Sequence, residues 1–569
     1  MSKRVRVVHA RRLIGALILS SLSLLSGCTS TEPRHPAAIA SAHPLATRAG
    51  MEILEAGGNA FDAAVAVSAA LAVVEPYGSG LGGGGFWLLH RAKDGFEVMI
   101  DGRERAPLAA HRDMYLDEAG NVVPGLSVDG ALAAGIPGEP AALAHIADKY
   151  GRLPLSESLA PAIRLARGGF TADAHYVRMA GFRREALSAD PEAAAIFLRD
   201  GDLPKEGDLI VQRDLASTLD ALVRRGHKGF YEGEVAGRLV SGVAAAGGIW
   251  TREDLEAYRV VERKPIRGKF NGFTITSAAP PSSGGVALVS MLNVLSEFPL
   301  AEMDRTMRTH VTIEVMRHAY RDRAEFLGDP DFVRVPARRL TSKPYAQTIA
   351  QSIRPDHVTP SATYSAPPVA PGGESTTHFS VLDEQGNRVA ATLSINYPFG
   401  AAVVPPGTGV LLNDEMDDFS VKPGVPNVYG LVGAEANAIA PGKRPLSSMS
   451  PTFVESEAGV AILGTPGGSR IITMVLLGIL ALVDGNGPAS WVSLPRFHHQ
   501  YLPDTVQYEA DAFDAAKLQA LTAKGHHLQA HQSDGGNMQA IYLDNSTGEV
   551  TAASDPRVSG LAVVSPSPQ

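Results

Sequence analysis

The sequence predicts a layered protein of strands and buried helices, α/β or α+β, and not a string of separate modules. Three observations predict it. The segment AFDAAVAVSAALAVV (60–74) is apolar on nearly every face, so as a helix it belongs inside a core and not on a surface. IITMVLLGILALV (471–483) repeats that character four hundred residues later. Short strand–turn–strand patterns stand between and around them: FWLLHRA–KDG–FEVMID at 86–101 and THFSVLD–EQGN–RVAATLSIN at 377–396.

Taken in order, the chain opens with a basic cluster (Lys3, Arg4, Arg6, Arg11, Arg12) and the apolar run Leu13–Leu25. That run falls short of the roughly 20 apolar residues of an ordinary membrane span and fits a secretory signal. It closes in Leu25-Ser26-Gly27-Cys28, which resembles a bacterial lipobox. Residues 1–27 are thus expected to be a lipoprotein signal peptide, with Cys28 lipidated as the mature N-terminus. The plainer alternative is a signal peptide followed by a chance cysteine. Because Cys28 is the only cysteine, the chain has no internal disulfide. Residues 28–40, polar and Pro/Ala-containing, read as a tether.

Asn59 is a good helix N-cap, with Asp62 three residues on, and Glu75-Pro76 stops the helix. Gly80-Leu81-Gly82-Gly83-Gly84-Gly85 satisfies GxGxxG, but a helix precedes it and a strand follows. A dinucleotide site needs the reverse order, so these glycines are expected to let backbones approach closely. The stretch 130–265 carries helical signals such as Thr251 capping REDLEAY. FTITSAAPPSSGGVALVSML reads as strand, loop and buried helix. Residues 354–375 are Pro/Gly/Ser-rich and long for a loop inside a compact domain. Net charge is −9 and no long basic block occurs, which argues against nucleic acid as a partner.

GxSxG, HExxH, Walker A and cysteine metal spacings are absent. His498-His499 lacks a nearby third ligand, so no metal and no cofactor is expected. What remains is a hydroxyl where the linker meets a strand. A cut before Thr376 would place a free α-amino group beside its hydroxyl. Such an amine has a pKa of about 8, so its neutral form can serve as a general base, an arrangement used by N-terminal threonine nucleophiles.

TTHFSVLD, LLNDEMDDFS, KPGVPNVYGLVG, KRPLSSMSPT and GTPGGSR follow one another as in the small subunit of bacterial γ-glutamyltranspeptidases. Upstream, GGNAFDAAVAV, GLGGGGF, DGRERAP and PPSSGG resemble the large subunit, and PRFHHQ and SDPR complete the match. The resemblance covers about 41 to 560. It implies an N-terminal-nucleophile hydrolase, an α+β four-layer αββα sandwich formed jointly by two subunits of a self-cleaved precursor. Transferred here, the cut lies between Ser375 and Thr376, giving a large subunit 41–375 and a small subunit 376–569 that remain together as a heterodimer.

The resemblance also implies roles. Thr376 attacks a γ-glutamyl carbonyl and forms an ester, with Ser394 supporting it where relatives carry Thr or Ser. Gly467 and Gly468 supply N–H groups to the oxyanion. Arg103, Ser447 and Ser448 hold the substrate α-carboxylate, and Asn396, Glu415 and Asp418 receive its α-ammonium. Residues 423–434 match a lid loop with Tyr429 as gate. The implied reaction moves the γ-glutamyl group of glutathione and similar compounds to water, amino acids or peptides. Separately, a lipidated Cys28 followed by Thr29 and not by an acidic residue leads to the expectation of an outer-membrane lipoprotein facing the periplasm, with no other membrane attachment. Three alternatives remain: a glutaryl-type cephalosporin acylase, an enzyme processing poly-γ-glutamate, and a cleaved but inactive scaffold.

Overall fold

The computed structural model describes residues 35–361, 375–531 and 536–567. The expected signal peptide and Cys28 lie outside them. Numbering in chain order the strands of the two large sheets, the first are β1 (Ala38–Ser41), β2 (Gly84–Arg91), β3 (Phe96–Gly102), β4 (Val261–Arg263), β5 (Ile266–Phe270) and β6 (Phe273–Ser277). After residue 375 come β7 (Thr377–Leu382), β8 (Arg388–Ser394), β9 (Thr452–Glu455), β10 (Gly459–Gly464), β11 (Gln539–Asp544), β12 (Val550–Ser554) and β13 (Leu561–Val564). Four helices matter most: α1 (Ala60–Val74), α2 (Gly284–Leu295), α3 (Arg305–Phe326) and α4 (Ile471–Val483).

One sheet has the order β13-β1-β7-β8-β2-β3-β4 and the other β12-β11-β10-β9-β6-β5, every neighbouring pair antiparallel. Because side chains alternate faces along a strand, each sheet feeds two cores. Phe86, Leu88, Met99 and Ala390 of the first sheet meet Phe453, Ile462 and Ile541 of the second in a core between the sheets. Trp87, Leu89, Phe379, Val381, Val389 and Leu393 point the other way, into α1 and the helices around it. Ile275, Val454, Ala461, Leu463 and Ala540 leave the second sheet outward, against α2, α3 and α4. Three apolar layers between four structural ones make the αββα sandwich.

Local chemistry explains the elements. Asn59 and Asp62 form a reciprocal capping box at the start of α1, and every residue of that helix is buried. The Trp87 indole N–H finds the Ser68 hydroxyl at 3.0 Å, so this fully buried donor is satisfied. The glycine run acts as expected. A Cβ on Gly82 would sit 1.9 Å from the Leu411 carbonyl oxygen, and one on Gly83 2.2 Å from that of Ser394. Thr251 and Asp254 form a second capping box, as the sequence indicated.

One expectation is corrected. The tether does not extend to residue 40: Ala38, Ile39 and Ala40 are fully buried in β1, inserted between β7 and β13. Four small or apolar residues are too few to show a strand period, yet small side chains suit a slot enclosed on both edges. In the first sheet, β1 from before residue 361 lies between β13 and β7 from after 375, and β8 pairs with β2; in the second, β9 pairs with β6. A cut between Ser375 and Thr376 would therefore leave two chains sharing both large sheets. Among the described residues, no helix is long and apolar enough to cross a membrane.

Candidate active site

Thr376 stands immediately before β7, at the end nearest the Gly80–Gly85 run. Its φ is +87°, a left-handed conformation that a β-branched residue rarely adopts and that costs on the order of 1–3 kcal/mol. Its Oγ1 lies 3.0 Å from Ser394 Oγ, at the end of the adjacent strand β8. Ser394 Oγ also accepts the Asn396 N–H at 2.8 Å, which fixes the serine rotamer toward Thr376. The preceding Ser375 donates its hydroxyl to the Asn396 carbonyl and sits 3.0 Å from the Tyr429 hydroxyl. Next to the nucleophile, Thr377 donates to buried Glu75 at 2.7 Å, and burial pushes that carboxyl up to about 7.

Asn396 itself has φ +72° and is clasped by Asp414, whose backbone and side-chain oxygens both accept its amide at 3.1 Å. Asp414 also takes the Tyr397 N–H at 2.9 Å. Sequence reasoning passed over Asp414, although it lies within LLNDEMDDFS beside two chosen residues. Burial raises its carboxyl well above the usual range.

Behind the hydroxyls lies a charged cluster. Arg103, at the end of β3 and 1% exposed, approaches Glu415 Oε2 to 2.5 Å through Nη1 and donates to Asp418 through Nη2. Its Nε donates to the Pro445 carbonyl at 3.2 Å, and Glu104 is 3.4 Å from Nη1. The residues expected to hold a carboxylate and those expected to hold an ammonium thus form one network, in which the protein's own ions partner each other. One guanidinium faces three carboxylates. Burial, reinforced by Glu415, raises Glu104 well above the carboxylate range. Burial likewise pushes Glu415 up to about 8, with Arg103 pulling the other way and Asp418 adding to the rise. A cationic ligand group would relieve this excess of acid.

Gly467 (φ +134°) and Gly468 (φ +54°) make the turn into α4, where the first N–H groups of a helical segment have no partner within it. A dipole and free N–H groups there favour an oxyanion. Tyr320 of α3 donates to the Ser469 carbonyl and braces this turn. Tyr429 lies over Gly468, where an added Cβ would come within 2.5 Å of its ring, and donates to the Asn396 carbonyl at 2.5 Å. With Tyr429 in place, the cavity lined by Arg103, Thr376, Ser394, Asn396, Asp418 and Tyr429 measures about 20 Å³. That admits one water and no glutamyl group. Ser447, Ser448 and Gly468 also line it, while Ser375, Glu415 and Gly467 stand just behind.

The two rings of His498 and His499 have separate partners, Thr473 and Gln500 for one and Asp504 for the other. Among the described residues, His90, Glu97 and Glu455 come within common reach of a metal ion, but Arg267 and Arg388 already occupy those carboxylates.

Comparison with known proteins agrees with this geometry. The family model described as gamma-glutamyltranspeptidase matches residues 46–565. The glutathione hydrolase proenzyme of Escherichia coli is 44% identical over 525 residues, covering 91% of this chain and 90% of that protein. Among solved structures, a cephalosporin acylase from Bacillus halodurans superposes with a TM-score of 0.82 at 28% identity, over 93% of this chain and 96% of that one. The γ-glutamyltranspeptidase of Helicobacter pylori aligns at 44% identity with a TM-score of 0.55, over 56% of this chain and 92% of that one. With a strained threonine at the start of a central strand, a paired-ion pocket behind it and these relatives across nearly its whole length, the chain belongs to the γ-glutamyltranspeptidase family of N-terminal-nucleophile hydrolases.

Proposed function

We propose that this chain is a self-cleaving glutathione hydrolase and γ-glutamyl transferase whose nucleophile is Thr376. The observation that carries the reading is Thr376 Oγ1, 3.0 Å from Ser394 Oγ, at the mouth of a pocket that ends in Arg103, Glu415 and Asp418. In maturation, Thr376 Oγ attacks the Ser375 carbonyl, the peptide nitrogen leaves as the new α-amine, and water hydrolyses the resulting ester. Relief of the left-handed strain at Thr376 favours this step.

In turnover the neutral α-amine takes the Thr376 hydroxyl proton while Oγ attacks the γ-carbonyl of the donor. The oxyanion is met by Gly467 and Gly468 N–H groups. Collapse expels the amine portion of the donor, which takes a proton, and leaves a γ-glutamyl ester on Thr376. Water or the amine of an amino acid or peptide then attacks the ester. Arg103, Ser447 and Ser448 hold the donor's α-carboxylate, and Asn396, Glu415 and Asp418 its α-ammonium. On binding, the ligand's two charges replace the ion pairs that Arg103 now makes with the acids. Tyr429 must swing off Gly468 to admit the donor and then exclude water again. Export as an outer-membrane lipoprotein facing the periplasm is supported by the Leu25–Cys28 motif.

Purified wild-type protein should release the chromophore from γ-glutamyl-p-nitroanilide, faster when glycylglycine is added as acceptor. No release from a correctly cleaved preparation would reject the reading. The whole-chain likeness to a cephalosporin acylase supports a second reading, which predicts that a glutaryl anilide is the better substrate.

A further inference from the structure

Arg323 lies on α3 and is 5% exposed, and among the described residues it makes no ion pair. A buried guanidinium without a carboxylate partner is costly and calls for an explanation. Its Nη2 donates to Ser448 Oγ at 3.2 Å and its Nε to Ser283 Oγ at 3.1 Å. Ser283, the residue immediately before α2, passes the interaction on: its hydroxyl donates to the Ser447 carbonyl at 2.7 Å and its N–H to the same oxygen at 2.8 Å. One side chain therefore grips both members of the serine pair. Three residues earlier on the same helix, Tyr320 holds the Gly467–Arg470 turn through the Ser469 carbonyl.

Guanidinium N–H groups only donate. Occupying a Ser448 lone pair from behind, Arg323 compels that serine to spend its own proton elsewhere. The Met449 N–H does the same to Ser447 Oγ at 3.1 Å. Both hydroxyls, lining the cavity with Arg103, are thereby set as donors toward it. Asp418 is the carboxylate whose charge most favours the Arg323 cation, and Arg103 opposes it. A second anion entering between these groups is what the arrangement lacks.

We propose that Arg323 is a positioning and specificity residue. It fixes the hydrogen-bond polarity of Ser448 and supplies an unspent positive charge, and the pocket is thereby selective for donors bearing an α-carboxylate. This rests on the reading that Ser447 and Ser448 face that carboxylate, and the test separates the two. Two anilides are compared: γ-glutamyl, and 4-aminobutanoyl, which is the same acyl group without the α-carboxylate.

Wild type should prefer the first strongly; if it does not, the carboxylate reading of the pocket fails irrespective of Arg323. Given that preference, Arg323→Gln should raise KM for the γ-glutamyl anilide about 10- to 100-fold, the range for a charged hydrogen bond. It should leave the 4-aminobutanoyl anilide within about threefold of wild type, so the selectivity ratio collapses. Arg323→Lys, which keeps charge but not the two-point fork, should fall between, and it decides the matter if the glutamine variant fails to cleave itself into two chains. Combined with Ser448→Ala, Arg323→Gln should cost less than it does alone, the remaining loss being that of its charge. An unchanged ratio, equal losses on both substrates, or full additivity with Ser448→Ala would overturn the proposal.

Discussion

Removal of Asp418 separates recognition of the ammonium from recognition of the carboxylate. Asp418 accepts from Arg103 Nη2 and, through its other oxygen, from Asn427 at 3.2 Å. A γ-glutamyl anilide and a glutaryl anilide share the chain and the distal carboxylate and differ only in the α-amine. A site built around a polar group rejects the analogue lacking it by about 10⁴–10⁵ in favourable cases, because buried partners are left unpaired. Truncating one partner of a buried charged hydrogen bond costs about 2–5 kcal/mol. At about 1.4 kcal/mol per tenfold, kcat/KM for the γ-glutamyl substrate should fall about 30- to 4,000-fold in Asp418→Ala. The glutaryl substrate has no ammonium to lose. Its kcat/KM should hold or rise, since Arg103 then has one carboxylate fewer competing for it. Arg103→Gln is the crossed control: both substrates keep the carboxylate, both should slow in parallel, and their ratio should stay put. The assay is anilide release at matched concentrations of cleaved enzyme. Equal slowing of both substrates by Asp418→Ala, or comparable cleavage of the two by wild type, would refute this division of the pocket.

Other predictions follow from the same geometry. Wild-type protein should run as two fragments on a denaturing gel, the smaller beginning Thr376-Thr377-His378-Phe379, and Thr376→Ala should remain one chain; two bands from that variant would place the nucleophile elsewhere. Burial raises the native-state pKa of Glu75 from its ordinary 4.5 to about 7, so the folded protein holds that proton more tightly than the unfolded chain and loses stability as pH climbs from about 4.5 to about 7. Glu75→Gln, which retains an acceptor for Thr377, should therefore gain on wild type by about 2–3 kcal/mol in denaturant unfolding at pH 8 over its difference at pH 4.5, whereas a pH-independent difference would contradict the burial argument. Gly468→Ala adds a Cβ at φ +54° against the Tyr429 ring, so kcat should drop at least about tenfold, of the order of losing one oxyanion donor, while the two-band pattern persists; unchanged kcat would show that the turn tolerates a side chain. Cys28→Ala should move activity from the membrane pellet to a soluble fraction, and a wild type already soluble would favour the ordinary signal peptide.

Much of the molecule was legible in the sequence, because the signals are local. The α1 cap, the two hairpins, the buried helices and the glycine run each depend on residues within a few positions, and the structure repeats them nearly residue for residue. The candidate site was legible through the resemblance: the chosen pocket residues, scattered from Arg103 to Gly468, converge on one cavity or stand directly behind it. Helix α3 shows the opposite case. Its sequence, RTMRTHVTIEVMRHAYRDRAEF, is too polar to look like a core helix, yet fourteen of its residues are buried. It can lie inside because Arg317, Tyr320 and Arg323 find partners contributed by other parts of the chain.

By itself, then, the sequence indicated the locally capped helices, the hairpins and the glycine run, and through the resemblance the residues expected to carry chemistry. Only the tertiary structure decided how charge is shared among them. Arg103 and Asp418 are separated by 315 positions, and no local pattern records that a guanidinium from one will meet the carboxylate of the other. The same holds for the left-handed backbone at Thr376, for Asp414 behind Asn396 and for the insertion of β1 between two later strands. Propensities and caps are properties of neighbours along the chain. Burial, ion pairing and backbone strain are set by atoms that come near only when distant segments pack.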